Sequence, residues 1–166
     1  MMRHLTLIRH AKSSWAHPEI TDFERPLNPR GRRDAPLMAQ QIAATDGLPD
    51  LWVSSPATRA VMTARMFADA LNQPVDAIRL LPSLYEASLD TLIAAVRQLP
   101  ETAHRVWLFG HNPGLTLLGQ WLAASAPTHL PTCAAARFVL PDAHWFECQR
   151  DGATLSGWRS PKHPQD

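Results

Sequence analysis

Basic and histidine side chains follow several short apolar runs of the sequence, and these residue types can bind and transfer a phosphoryl group. Arg9 and His10 come directly after the apolar run 5–8, while Arg59 and His111 follow two later runs. Guanidinium groups bind phosphate oxygens bidentately, and a neutral histidine can attack phosphorus to form phosphohistidine. Other polar residues occupy the same kind of position: Lys12, Ser13, Ser54, Ser55, Tyr85, Glu86 and Asn112.

Short apolar runs alternate with helical periodicity along the chain, which predicts an α/β fold. Runs at 5–8, 51–53, 78–81 and 106–109 predict four strands, and the tail holds further strand-like runs at 136–139, 145–148 and 153–158. Helical spacing of apolar residues predicts helices that begin at Pro29 behind an Asn28 cap, at Pro56, near Leu89 and at Pro113. This alternation is typical of a three-layer α/β/α sandwich with a mostly parallel central sheet. We find no long linker and predict one domain over residues 1–166.

In such sheets ligands bind beyond the carboxyl ends of the strands, so the polar residues above are expected to meet at one rim. Helix N-termini near Pro56 and Pro113 would add partial positive charge there. The sequence contains no P-loop and no paired-Asp metal cluster, and neither cysteine is near the rim. A histidine nucleophile without metal or cofactor is therefore the predicted chemistry, with His10 and His111 as the two candidates.

The overall charge excludes extended polyanionic ligands. Sixteen Lys and Arg balance fifteen Asp and Glu, and the 45% hydrophobic fraction is that of a globular chain. No run is long enough for a signal-peptide core or a membrane span. We therefore expect a cytoplasmic protein, a monomer or weak dimer, that binds neither nucleic acid nor membrane.

Three ordered blocks resemble those of the histidine phosphatase (phosphoglycerate-mutase-like) superfamily. They are Leu-Ile-Arg-His-Ala-Lys-Ser at 7–13, Ser-Ser-Pro-Ala-Thr-Arg-Ala at 54–60 and Gly-His-Asn-Pro at 110–113. Together with Arg-Pro-Leu-Asn at 25–28 and Gly31, the first block is similar to the short SixA-type phosphohistidine phosphatases. Its Ala11 stands where the commoner superfamily motif has glycine, a departure that the SixA-like group shares.

The resemblance implies a role for each matching residue. His10 would be the nucleophile that becomes phosphorylated, and Arg9, Arg59 and His111 would bind the phosphoryl oxygens. Glu86 would be the general acid, although a carboxylate at a helix start is an alternative explanation. Further substrate contacts are expected from Lys12, Ser13 and Asn112.

The same resemblance implies a phosphatase that acts on phosphohistidine in a protein. Only about 25 residues separate Glu86 from His111, which leaves little chain to roof the pocket. Two alternatives stay open: a broad phosphomonoesterase acting on small-molecule or Ser/Thr phosphate esters, and a phosphoprotein-binding module without turnover. Arg30, Arg32 and Arg33 form a basic run that is either a solvated face or a docking edge for an acidic protein.

The two cysteines raise two further possibilities. Cys133 and Cys148 could form one disulfide, and together with His129 and His144 they could be drawn as a zinc site. Residues four apart in a strand lie about 13 Å from each other, which is too far for two ligands of one zinc ion. We therefore expect no zinc and leave the disulfide open.

Overall fold

A six-stranded sheet forms the centre of the structure, a computed structural model that describes residues 2–141 and 144–162. Its order is β3-β2-β4-β1-β5-β6. The first four strands are mutually parallel, whereas β5 is antiparallel to β1 and β6 is antiparallel to β5. The strands are β1 (Arg3–Arg9), β2 (Leu51–Ser54), β3 (Ile78–Leu80), β4 (Arg105–Gly110), β5 (Ala135–Leu140) and β6 (Thr154–Arg159).

Helices pack on both faces of this sheet: α1 (Pro29–Asp46), α2 (Thr58–Ala70), α3 (Leu89–Arg97) and α4 (Gly114–Leu122). The Asn28 side chain caps α1 as predicted, accepting a hydrogen bond from the Gly31 N–H at 2.9 Å. Helices α2 and α4 begin one or two residues after the prolines at which the sequence predicts them. Within the described residues, no helix has the length and apolar character that crossing a bilayer requires.

The alternation of side chains along the strands divides the core into two layers. Leu5 and Leu108 point to the face that α3 and α4 cover, whereas Ile8 and Trp107 point to the face that α1 and α2 cover. Successive strand residues face opposite sides, so each central strand supplies both layers. The predicted three-layer sandwich with a mostly parallel sheet is confirmed.

The strand predicted at 145–148 is wrong, because the chain forms a 3₁₀ turn at Trp145–Glu147. The Trp145 ring is fully buried, and its indole N–H donates to the Ala103 carbonyl at 2.8 Å. Arg97 at the end of α3 donates to the Cys148 carbonyl through two N–H groups. The run is apolar because it covers the edge of a core layer, and its N–H groups donate to backbone carbonyls within the turn instead of to a neighbouring strand.

Cys133 and Cys148 are free thiols buried in different layers, on opposite faces of the sheet. They do not form the disulfide that the sequence left open. The zinc arrangement is not assembled either: in the parts of the chain that the structure describes, no three His, Cys, Asp or Glu side chains are grouped to hold a metal ion.

Candidate active site

The backbone of His10 is fixed at the end of β1 by both neighbouring segments. Its N–H donates to the Gly110 carbonyl at 3.0 Å, and its carbonyl accepts from the Cys133 N–H at 3.0 Å. The ring nitrogen Nδ1 lies 2.8 Å from the Ala11 carbonyl oxygen. A carbonyl can only accept, so Nδ1 carries the hydrogen and Nε2 keeps its lone pair. His10 therefore presents a nucleophilic nitrogen.

Burial keeps this ring neutral. The side chain of His10 is 6% exposed. Burial, with further contributions from His111, Arg59 and Arg9, lowers the pKa of His10 to about 3 despite its hydrogen bond to Ala11. An imidazole with this pKa is unprotonated throughout the physiological range.

Helix α2 holds Ala11, the residue whose carbonyl orients the His10 ring. The Thr63 hydroxyl oxygen accepts from the Ala11 N–H at 3.0 Å, and the same hydroxyl donates to the Arg59 carbonyl at 2.7 Å. Ala11 is fully buried and is not among the described residues with positive φ. The backbone here suits alanine, which explains why glycine is not needed after His10.

His111 follows β4, and its ring centroid lies 5.2 Å from that of His10. Its Nε2 is 2.7 Å from the Ser55 hydroxyl oxygen, which also accepts the Ala57 N–H. Since that hydroxyl can then donate its hydrogen to Nε2, we assign the ring hydrogen of His111 to Nδ1. Burial first, and Arg59 second, lower the pKa of His111 to about 4. His111 is thus a neutral N–H donor.

Two guanidinium groups lie beside the histidines. Arg59, in the first turn of α2, is buried, and Arg9 donates to the Leu130 carbonyl at 2.9 Å. Burial and the charge of Arg59 lower the pKa of Arg9 from its ordinary value, so the two cations repel each other. A bound anion would relieve this repulsion.

Asp22 is the partner of Arg59, and the sequence analysis missed it. The Asp22 carboxylate accepts from Arg59 at 3.0 Å, while its backbone carbonyl accepts from the same guanidinium at 2.7 Å. It also accepts from the Tyr85 hydroxyl at 2.7 Å and from Arg25 at 3.2 Å. These bonds, that of Tyr85 foremost, lower the pKa of Asp22 to about 2. The only sequence signal was its place three residues before Arg25, which does not point to Arg59.

Glu86 lies at the mouth of a cleft of about 310 Å³ that His111 also lines. Its side chain is exposed, and its backbone takes a positive φ of 53°. A carboxyl group at this mouth can exchange protons with solvent. Glu86 thus shares a cleft with His111, and its role as general acid stays a prediction.

The three predicted substrate-binding residues lie in different surroundings. Lys12 is exposed and lines a second cleft together with Arg9. Ser13 is buried, where its backbone bridges to Leu27. Both polar atoms of the Asn112 amide are engaged: Nδ2 donates to the Leu130 carbonyl at 2.8 Å, and Oδ1 accepts from Thr116. Asn112 therefore fixes the loop that also holds Arg9, and the predicted substrate contacts remain untested.

Three buried polar atoms around His10 have no hydrogen-bond partner among the described residues. They are Nε of Arg9, Nε of Arg59 and Nδ1 of His111. Buried donors normally have partners, and each one left unsatisfied costs free energy. Two guanidinium donors and one imidazole donor next to a nucleophilic nitrogen form a site suited to a phosphoryl group.

The sequence from residue 5 to 114 matches the family model of the histidine phosphatase superfamily, branch 1. The chain belongs to this superfamily. An uncharacterized chloroplastic protein of Arabidopsis thaliana is 33% identical over 154 residues, which cover 87% of this chain and 70% of that protein. A candidate phosphohistidine phosphatase SixA from Agrobacterium tumefaciens superposes with a TM-score of 0.78 at 27% identity, covering 96% of this chain and 98% of that one.

A further histidine phosphatase structure supports the fold. The protein histidine phosphatase SixA, solved with tungstate, gives a TM-score of 0.82 at 23% identity and covers 98% of this chain and 99% of that one. The family match ends at residue 114, so it includes all eight predicted site residues. The SixA-type resemblance seen in the sequence is confirmed by the structural matches.

Proposed function

We propose that this histidine phosphatase removes the phosphoryl group from phosphohistidine in a protein, through a covalent intermediate on His10. The observation that carries the proposal is the set of unpartnered buried donors of Arg9, Arg59 and His111 beside His10. They would bind the three equatorial phosphoryl oxygens as charge develops on them.

The reaction has two displacement steps. Nε2 of His10 attacks phosphorus while the P–N bond of the substrate breaks, and the leaving imidazole takes a proton from Glu86 or from water. Water then attacks the phosphorus on His10, breaks the new P–N bond and gives its proton to Glu86. Inorganic phosphate leaves, and His10 returns to its neutral form. No step uses a metal or a cofactor.

Two features support a protein substrate. The segment between Glu86 and His111 is largely used by α3 and β4, so no insertion from it roofs the pocket. The A. tumefaciens relative of similar length is itself a candidate phosphohistidine phosphatase. Imidazole is also a better leaving group than an alkoxide, which suits an exposed acid such as Glu86.

A substrate panel tests the proposal. Phosphohistidine protein, para-nitrophenyl phosphate, a sugar phosphate and a phosphoserine peptide are incubated with wild-type protein, with His10→Ala and with His17→Ala, an exposed histidine outside the site. We expect the highest kcat/KM on phosphohistidine. His10→Ala should lose turnover, and His17→Ala should keep the turnover of the wild-type protein. Faster hydrolysis of an ester would support a phosphomonoesterase instead, and binding without turnover of any substrate would support a phosphoprotein-binding module.

A further inference from the structure

A second cleft, of about 360 Å³, includes Arg9 and is lined by several basic side chains. We name it the basic groove. It is formed by the end of β1, the first turn of α1, the loop before β5 and the segment after β6. Its lining includes Arg9, Lys12, Arg30, His129, Thr132 and Lys162.

The charges of the basic groove are largely uncompensated. Arg30 pairs with Asp34 at 3.5 Å, which offsets part of its charge. Lys12 and Lys162 form no ion pair with any residue that the structure describes. Both are exposed. A chain of net charge +1 therefore concentrates positive charge along one path that begins at Arg9.

We propose that the basic groove binds an acidic segment of the protein substrate, next to the residue that carries the phosphoryl group. This inference rests on the proposed function, because Arg9 would contact the phosphoryl group at one end of the groove. The Lys and Arg side chains come from three separate parts of the chain: the end of β1, the first turn of α1 and the segment after β6. An extended chain with several carboxylates could contact all of them, and its affinity would be electrostatic.

The test compares two phosphohistidine peptides that are identical except that the flanking residues are Asp in one and Asn in the other. The wild-type protein is expected to show the lower KM for the Asp peptide, and this advantage should shrink as salt screens the exposed charges. In Arg30→Glu/Lys162→Glu, the KM for the Asp peptide should rise roughly tenfold. The KM for the Asn peptide and the turnover of para-nitrophenyl phosphate should not change.

The matched control is Arg79→Glu/Arg150→Glu, which changes the net charge equally at exposed positions outside the groove. It should leave the KM of both peptides unchanged. The inference is overturned if the control raises the KM of the Asp peptide as much as the groove variant does. It is also overturned if the groove variant leaves the KM of the Asp peptide unchanged. The same holds if that variant raises the KM of a small ester with a second anionic group as much as it raises the KM of the Asp peptide.

A binding measurement separates this inference from the proposed function. Fluorescence anisotropy with the unphosphorylated Asp and Asn peptides needs no turnover. If the wild-type protein hydrolyses none of the phosphorylated substrates, the proposed function fails. Preferential binding of the Asp peptide, lost in Arg30→Glu/Lys162→Glu, would then still support acidic docking, and equal binding of both peptides would contradict it.

Discussion

A backbone carbonyl decides which nitrogen of His10 can react. Because the Nδ1–H group donates a hydrogen bond to the Ala11 carbonyl, the lone pair of Nε2 stays free beside the two arginines. Burial keeps the ring neutral, so reactivity does not depend on a neighbouring base. His111 is assigned the same tautomer, with the Ser55 hydroxyl at Nε2 and the ring hydrogen at Nδ1. In the proposed reaction, two neutral histidines divide attack and phosphate binding between them.

The first prediction concerns the titration of these two rings. With pKa values of about 3 and about 4, neither His10 nor His111 should become protonated between pH 8 and pH 5. An exposed histidine with an ordinary pKa near 6.5 would titrate fully in that range. We expect ¹⁵N NMR spectra to show two imidazoles whose shifts stay constant, assigned by their loss in His10→Ala and His111→Ala. Midpoints near pH 6.5 for both would contradict the assignment.

Asp22 should act as a positioning residue for Arg59. In Asp22→Asn the charged acceptor of Arg59 is lost, and we expect kcat/KM to fall about tenfold, mainly through KM for the phosphoryl group. Glu24→Gln is the matched control, since this carboxylate in the same loop bonds Thr21 and not Arg59. Equal effects of the two variants would show that Asp22 has no special role.

At the scale of elements, the sequence predicted the strands and helices that have a regular pattern of apolar and polar residues. Apolar runs ending in polar residues located β1, β2, β3 and β4, and the Asn28–Pro29 pair located the start of α1. What it could not predict depends on contacts between distant segments. Trp145 resembles a strand residue because buried turns and buried strands have the same composition, and Asp22 meets Arg59 only after the loop folds back over α2.

The structure also tests the predicted rim. The ends of β1 and β4 and the segment after β2 bring His10, Arg9, His111, Arg59 and Ser55 together. Sequence spacing could not show that Lys12 faces a different groove, or that the Asn112 amide is already engaged within the protein. Side-chain direction at the end of a strand depends on the following turn, which periodicity does not report.

The contact between α1 and the loop after β1 gives an element-scale prediction. A Cβ placed on Gly31 would lie 2.3 Å from the backbone oxygen of Lys12, which cannot move without displacing the loop. Gly31→Ala should therefore lower the free energy of unfolding by roughly 1–3 kcal/mol and reduce turnover. In the control Gly119→Ala, the new methyl group meets the Phe138 ring tip at 3.3 Å and the Ala126 Cβ at 3.7 Å, side-chain contacts that are less tight, so a smaller loss of stability is expected. Chemical denaturation measures both, and equal stability of the two variants would contradict the contact.

At the scale of the whole molecule, a chain of nearly zero net charge contains a cationic site because several of its basic side chains are grouped in one place. Sixteen basic and fifteen acidic residues balance overall, yet Arg9, Arg59 and the basic groove lie together at one end of the sheet. A net charge near zero is therefore compatible with a local site for one phosphate. The organisation as one domain remains a prediction from the sequence.

Buried neutral histidines make the stability of the folded chain depend on pH. His10 and His111 have folded pKa values of about 3 and about 4, below the value near 6.5 expected after unfolding. Between about pH 6.5 and 4 only the unfolded chain takes up these protons, so the free energy of unfolding should fall as pH decreases. We expect a loss of at least about 2 kcal/mol, measured by denaturation at each pH. His10→Ala should flatten this dependence and His17→Ala should not; equal slopes in all three proteins would contradict the explanation.

The central claim is that His10 carries the phosphoryl group during turnover. Wild-type protein is mixed with ³²P-labelled phosphohistidine protein, quenched within the first turnover, digested and mapped. We predict an acid-labile, base-stable label on the peptide that contains His10, present in His17→Ala and absent in His10→Ala. Label on another residue, or undiminished release of phosphate by His10→Ala, would contradict the account.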